Sequence, residues 1–211
     1  NYKNWHFLAR QATFVTLALL LAALTFRVRV DTWQRLAPYL FVAAIVLLVL
    51  VLIPGIGKGV NGARRWISLK YFNIQPSELM KLFVVLYAAD YTVRKQEYMH
   101  RITKGFLPMA GAIAFIGLLL LLEPDLGAFG VIVCIAMGIL FLGGINLVWF
   151  GGIGAALVGI FSMVIMLSPW RRDRIFAYLN PWDEANALGK GYQLSHSLIA
   201  FGRGELTGVG L

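Results

Sequence analysis

The sequence predicts an all-α fold: a polytopic transmembrane helix bundle of about six spans, with a long extracytoplasmic loop that contains short interfacial helices. Three observations predict it. Of 211 residues, 59% are hydrophobic and 14% charged, whereas a soluble domain runs near a quarter charged and under half apolar. Mean hydropathy is +0.74. The apolar residues also fall in continuous runs, and a helix needs about 20 of them to cross the hydrocarbon layer. A membrane barrel strand would alternate apolar and polar residues instead.

The spans follow in order. Residues 11–26 and 36–57 carry no charge. Residues 83–89 are apolar within a longer helical stretch, and 105–122 are again uncharged. Residues 126–170 form one uncharged stretch, long enough for two spans with a turn at Gly143-Gly144-Ile145-Asn146. Residues 1–168 are therefore the transmembrane part and 169–211 the loop, within a single membrane domain. The first residues, "NYKNWHFLAR", lack a signal-peptide pattern and an initiator Met, and the chain reads as a piece of a longer protein. Cys134 is the lone cysteine, which excludes an internal disulfide and a Cys-based metal site. His6, His100 and His196 are scattered, and no metal site is predicted from them.

Lys and Arg number 19 against 10 Asp and Glu, a net charge of +9. One set of loops holds Arg27, Arg29, Arg35, Arg94, Lys95, Arg101 and Lys104; the other holds Lys58, Arg64, Arg65, Lys70, Arg171, Arg172, Arg174, Lys190 and Arg203. Neither wins on count. The second set lies in the two longest connections, where the positive-inside rule weakens, so the 27–35 and 94–104 loops are expected to face the cytoplasm. The outer face is then strongly basic. Such a face is either simply solvated or suited to an anionic ligand, since Arg grips phosphate bidentately. Dispersal of the basic residues among membrane loops argues against nucleic-acid binding.

In "GKGVNGARRWISLKYFNIQPSELMK", the glycines and Asn61 mark a turn-rich excursion. Trp66, Ile67, Tyr71 and Phe72 suit a segment at the membrane interface, where Arg64 and Arg65 could snorkel to headgroups. "QPSELMK" starts a helix, with Pro76 at the first helical position and Glu78 complementing the dipole. Glu78 and Lys81 are three apart, so they share a face. They form either a structural ion pair or the lining of a polar cavity. Asp90 is expected to cap a polar contact between helices. In "EPDLG", Asp125 is placed to cap the next helix and Pro124 to break the previous one. Glu123, after five leucines, needs water or a cation.

In the long loop, "RRDRIFAYL" is a basic amphipathic helix for the membrane surface, and "YQLSHSLIAF" is another helix or a re-entrant segment. "GRGE" is expected to turn, Gly202 and Gly204 leaving N–H groups open around Arg203. Ser195, His196 and Ser197 point in different directions on a helix and make no nucleophilic centre. Asp183 and Glu184 lie between the amphipathic helix and a Gly-rich turn, on the basic side of the membrane. They are either ordinary loop acids or a general base near a lipid headgroup.

Taken together, "NGARRWI", "FNIQPSELMKL", "EPDLG" and "GYQLSHSLIAFGRGELTGVGL" resemble, in order and spacing, the SEDS proteins (shape, elongation, division and sporulation). The last motif is closer to their cell-division branch than to the elongation branch. The family is larger than this chain. The resemblance implies a peptidoglycan glycosyltransferase that polymerises lipid II at the outer face of the bacterial inner membrane, working at the septum with a class B penicillin-binding protein and other division proteins. It also implies an essential acid in the long loop ahead of a Gly-x-Gly-Tyr. Alignment from Pro181-Trp182 favours Glu184 for that role, and residue type favours Asp183. Inverting displacement of polyprenyl pyrophosphate then calls for one base, and for cations on the leaving group. Arg64, Arg65, Lys81 and Arg203 are the candidates, with Glu78 positioning Lys81 and Glu123 ordering neighbouring basic groups. The residues point to no particular cofactor, although a divalent cation, Mg or Mn, could assist. Two rivals stand beside this: a transporter of the lipid-linked precursor and a non-enzymatic division scaffold.

Overall fold

The computed structural model describes residues 2–60, 63–69, 73–183, 186, 189, 191–204 and 208, without the side chains of 2–4 and 60. The described residues form eight α-helices and one small sheet. Helix α1 is Tyr2–Arg27 and α2 is Val30–Leu52; strands β1 (Gly57–Val60), β2 (Ala63–Ser68) and β3 (Asn73–Ile74) follow. Then come α3 (Pro76–Arg94), a 3-10 turn Gln96–Tyr98, a π-helical turn Ile102–Phe106, α4 (Leu107–Leu122) and α5 (Leu126–Leu142). Helices α6 (Leu147–Met166), α7 (Pro169–Leu179) and α8 (Tyr192–Gly204) end the described chain.

Four segments are long and apolar enough to span a membrane: Trp5–Arg27, Val30–Leu52, Ile102–Leu122 and Leu147–Met166. Helix α5 is equally apolar but has 17 residues. Helix α3 has 19 residues and includes Glu78, Lys81, Asp90 and Arg94. Together these are the six helices the hydropathy pattern predicts. The chain divides into two compact units, Ala22–Ala155 and a second made of Asn1–Leu21 with Ala156–Leu211.

Within Ala22–Ala155, α2 and α3 pack most extensively, with α3 also against α5 and α4 against α5. Helix α2 buries Ala37, Phe41, Ala44, Leu48 and Val51, a 3–4 spacing that forms one stripe. Met80, Val84, Ala88 and Tyr91 give α3 its own buried stripe. Phe41 stacks on Tyr87 at 4.1 Å between centroids. Small residues set the closest approaches, as expected where lipid removes most of the hydrophobic drive between helices. A Cβ on Gly117 of α4 would collide with the Phe129 ring, and one on Gly143 would stand 2.6 Å from Thr92 Cγ2. The Gly143–Asn146 turn falls where expected: Gly144 has φ 90°, and Asn146 Oδ1 accepts the Val148 N–H at 2.9 Å.

One local expectation is extended and one corrected. Strands Gly57–Val60, Ala63–Ser68 and Asn73–Ile74 form an antiparallel sheet of order β1-β2-β3, pairing that the turn-rich, interface-suited reading of this excursion does not include. Asn61-Gly62 between β1 and β2 is the dipeptide that favours two-residue hairpin connections. Asp90 bonds its own helix, accepting Arg94 Nε at 2.7 Å, instead of capping a contact between helices.

In the second unit, α7 and α8 coincide with the two helices expected in the long loop, and bury Ala177 and Ser195 respectively. Gly202-Arg203-Gly204 completes the last turn of α8; it does not form the expected open turn, so its N–H groups are no anion nest. Ser195 Oγ and Ser197 Oγ donate to the carbonyls of Tyr192 and Leu194, and His196 Nδ1 lies 3.1 Å from the Tyr192 carbonyl. Each side chain is turned back on its own helix, which agrees with the absence of a nucleophilic centre there.

Candidate functional site

The polar centre of the Ala22–Ala155 unit is the turn between α4 and α5. Leu119 and Leu120 carry it into the buried face, so Glu123 is fully buried and Asp125 is 7% exposed. Asp125 caps α5 as expected, its Oδ1 accepting the Ala128 N–H at 3.2 Å. The same carboxylate does more. Its Oδ2 accepts from Gln75 Nε2 and from Ser77 Oγ, both at 3.4 Å, and Gln75 also donates to Ser77 at 3.0 Å. One acid thus joins the start of α3 to the start of α5.

Arg65 completes the cluster. Its Nε donates to the Glu123 carbonyl at 3.0 Å, an Nη donates to the Pro124 carbonyl, and the other Nη stands 3.9 Å from Asp125 Oδ1. The local backbone explains this aim. Pairing runs Lys58↔Trp66 and then Gly59↔Arg64, leaving Arg65 as the extra residue of a bulge in β2. A bulge interrupts alternation and redirects a side chain. Arg65 is half-buried against the turn, while Arg64 is exposed. The two adjacent arginines are therefore not equivalent.

Glu123 is the unusual member. Neither carboxylate oxygen has a hydrogen-bond partner among the described residues. It lies one residue beyond the Ile102–Leu122 span. Burial, with the Asp125 charge adding to it and Arg65 opposing, pushes its carboxyl up from 4.5 to about 8. At neutral pH it is mostly protonated, because a buried charge without a matched partner costs more than keeping the proton. Its side chain reaches neither water nor a cation among the described residues, and keeping the proton takes the place of both.

Glu78 and Lys81 form the expected pair on the first turns of α3, Nζ to carboxylate 2.7 Å. The structure thus unites Arg65, Glu123 and Asp125 with Gln75 and Ser77, and holds Glu78 with Lys81. Gln75, Ser77 and the bridging role of Asp125 escape sequence reasoning. The Gln-Pro-Ser start of α3 was their only signal.

Asp183 and Arg203 belong to the second unit. Asp183 is exposed. The Asn186 N–H donates to the Asp183 carbonyl at 2.8 Å, and its side chain donates to the Asn180 carbonyl at 3.1 Å. Its own carbonyl accepts from Gly189 and Gly191. Arg203 is exposed on the last turn of α8. Glu184 lies outside the described residues. Among the described residues, no group of three His, Cys, Asp or Glu side chains gathers to hold a metal.

A family model described as "cell cycle protein", covering FtsW, RodA and SpoVE, matches residues 1–211. The chain belongs to the FtsW/RodA/SpoVE family. A Burkholderia thailandensis relative named probable peptidoglycan glycosyltransferase FtsW is 63% identical over the whole chain, which covers 46% of that protein. One of the same name from Aromatoleum aromaticum is 55% identical over the whole chain, with 51% of it covered. The chain spans about half the length of these curated relatives. Among solved structures, a chain of a peptidoglycan synthase complex described for coordinating polymerisation and crosslinking has TM-score 0.65 at 31% identity, covering 94% of this chain and 58% of that one. The rod shape determining protein RodA of Thermus thermophilus has TM-score 0.61 at 28% identity, covering 92% and 64%. FtsW/RodA/SpoVE membership agrees with the four motifs and with the multi-pass helical architecture.

Proposed function

We propose that the protein from which this chain comes is a peptidoglycan glycosyltransferase that polymerises lipid II during cell division. The observation that carries this is 63% identity, over every residue of the chain, to a relative named for that activity. The reaction follows from substrate chemistry. A sugar hydroxyl of one lipid-linked saccharide attacks the anomeric carbon of another. The new C–O bond forms as the bond to pyrophosphate breaks, the hydroxyl proton passes to a base, and polyprenyl pyrophosphate departs. Direct displacement inverts the anomeric carbon and needs a single base.

Asp183 or Glu184 takes the proton in this reading. Arg65 is suited to the departing pyrophosphate because the Glu123 and Pro124 carbonyls already fix its guanidinium, and a preorganised cation stabilises developing charge at little reorganisation cost. Lys81, positioned by Glu78, and the exposed Arg64 and Arg203 supply further charge. A divalent cation, Mg or Mn, fits this scheme as a companion of the substrate phosphates. The expected setting is the bacterial inner membrane at the septum. The expected partner is a class B penicillin-binding protein, which the peptidoglycan synthase complex supports.

The test is polymerisation of lipid II by the purified full-length protein with its transpeptidase. Asp183→Ala and Glu184→Ala are made singly and together. One single replacement is expected to abolish glycan chains while leaving thermal stability and partner binding intact. Full polymer from the double variant would reject the base assignment. Movement of lipid across vesicles without polymer would favour a transporter, and neither activity would favour a scaffold.

A further inference from the structure

A second polar site lies at the other end of α2 and α3. A cavity of about 690 Å³ opens there, lined from α2 by Asp31, Gln34, Arg35, Pro38 and Tyr39, and from α3 by Asp90 and Arg94. About 24 Å of helix rise, at 1.5 Å per residue, separates Arg35 from Val51 at the sheet end of α2. The cavity is thus distinct from the Arg65–Asp125 cluster, and its volume is that of an ordinary small-ligand site.

Its chemistry is decided by which groups are already committed. Asp90 is buried and taken by Arg94 Nε at 2.7 Å. Asp31 is taken by Arg29 at 2.9 Å. Each acid has a cationic partner, Asp90 in a buried setting and Asp31 in an exposed pair, and Arg94 keeps its terminal nitrogens. Arg35 forms no ion pair or hydrogen bond among the described residues. What remains uncommitted is a set of donors: the Arg35 guanidinium, the Arg94 terminal nitrogens, the Tyr39 hydroxyl and the Gln34 amide. That set fits a phosphate oxyanion.

The surface below the cavity says what carries the phosphate. Arg35, Tyr39, Val42 and Val46 recur at helical spacing and share one side of α2, and the last three are 74%, 57% and 50% exposed. A guanidinium at the rim, an amphipathic ring beneath it and an apolar lane down a candidate span match the headgroup, glycerol level and acyl chain of a phospholipid in turn. Basic pockets between spanning helices hold anionic lipid headgroups on the same terms.

We infer that this cavity binds the phosphate of an anionic phospholipid, with Arg35 and Arg94 on the headgroup and one acyl chain along Tyr39, Val42 and Val46. The site is independent of the proposed glycosyl transfer.

Native mass spectrometry of the full-length protein, titrated with phosphatidylglycerol or phosphatidylcholine, tests it. Phosphatidylglycerol is expected to be retained preferentially. Arg35→Gln is expected to weaken that retention about tenfold or more, the usual cost of losing a charge-assisted hydrogen bond. Arg35 is exposed, so this variant should fold, which thermal unfolding verifies. Arg27→Gln, also exposed but outside the cavity lining, should leave retention unchanged. Val46→Asp, in the acyl lane, should lower it with Arg35 intact. Equal losses in the two arginine variants, no preference over phosphatidylcholine, or displacement of the lipid by soluble glycerol phosphate would each overturn the assignment.

Discussion

Replacing Glu123 with Gln is the sharpest probe of the polar cluster. The change keeps the shape and removes the ionisable proton. In the folded protein the carboxyl is raised from 4.5 to about 8, by burial first and by Asp125 second, against Arg65. The unfolded chain therefore ionises at this position from about pH 4.5 upward, while the folded protein holds its proton to about pH 8. Between those values the folded state binds more protons, so stability falls as pH rises. Below the window both states are protonated, and above it both are charged. Each pH step of one across that window removes about 1.4 kcal/mol, so the whole loss amounts to about 5 kcal/mol, or roughly 10–20 °C in Tm for a chain of this size and about half that for a full-length protein twice as long. Thermal unfolding of full-length wild type and Glu123→Gln in one detergent, from pH 5 to 8.5, measures it. The wild-type Tm should fall relative to the variant across that range. A constant difference, or a wild type that gains on the variant as pH rises, would refute a buried neutral carboxyl.

Three further outcomes follow from the same geometry. Arg65→Lys keeps the charge but cannot reproduce the fork onto the Glu123 and Pro124 carbonyls; polymerisation of lipid II should fall about tenfold or more, and retention of activity would show that charge alone suffices. Asp125→Ala removes a helix cap worth about 1 kcal/mol and also the acceptor of Gln75 and Ser77, so its Tm should drop further than that of Asp125→Asn, which keeps an acceptor oxygen. Gly143→Val forces atoms against Thr92, whose Cγ2 would be 2.6 Å from a Cβ there; overpacking at about 1–3 kcal/mol should lower Tm by several degrees without changing which lipids are retained.

The helical architecture was legible because hydropathy acts residue by residue. Residues 36–57 and 105–122 announce spans whatever else the chain does. Caps are similarly local, and Asp125 and Pro76 took the helix-start positions assigned to them. The Glu78–Lys81 pair needed only helical spacing. Sheet formation in 57–74 was obscured by its aromatic residues, which suit a membrane interface as well as a strand, although Asn61-Gly62 was a usable hairpin signal. Arg64 and Arg65 were inseparable by residue type. A bulge in β2, a feature of pairing with β1, turns one of them to the α4–α5 turn.

The sequence by itself determined a multi-pass helical membrane protein of the FtsW/RodA/SpoVE family, because apolar run length and ordered motifs are properties of a linear string. Only the tertiary structure decided that Asp125 bridges α3 and α5, that Glu123 is sealed away without a described partner, and that Arg35 is left without an acid among the described residues while Arg94 has one. These states depend on which groups from distant parts of the chain come within hydrogen-bonding reach. Burial then sets whether a carboxyl keeps its proton, and no window of sequence contains that information.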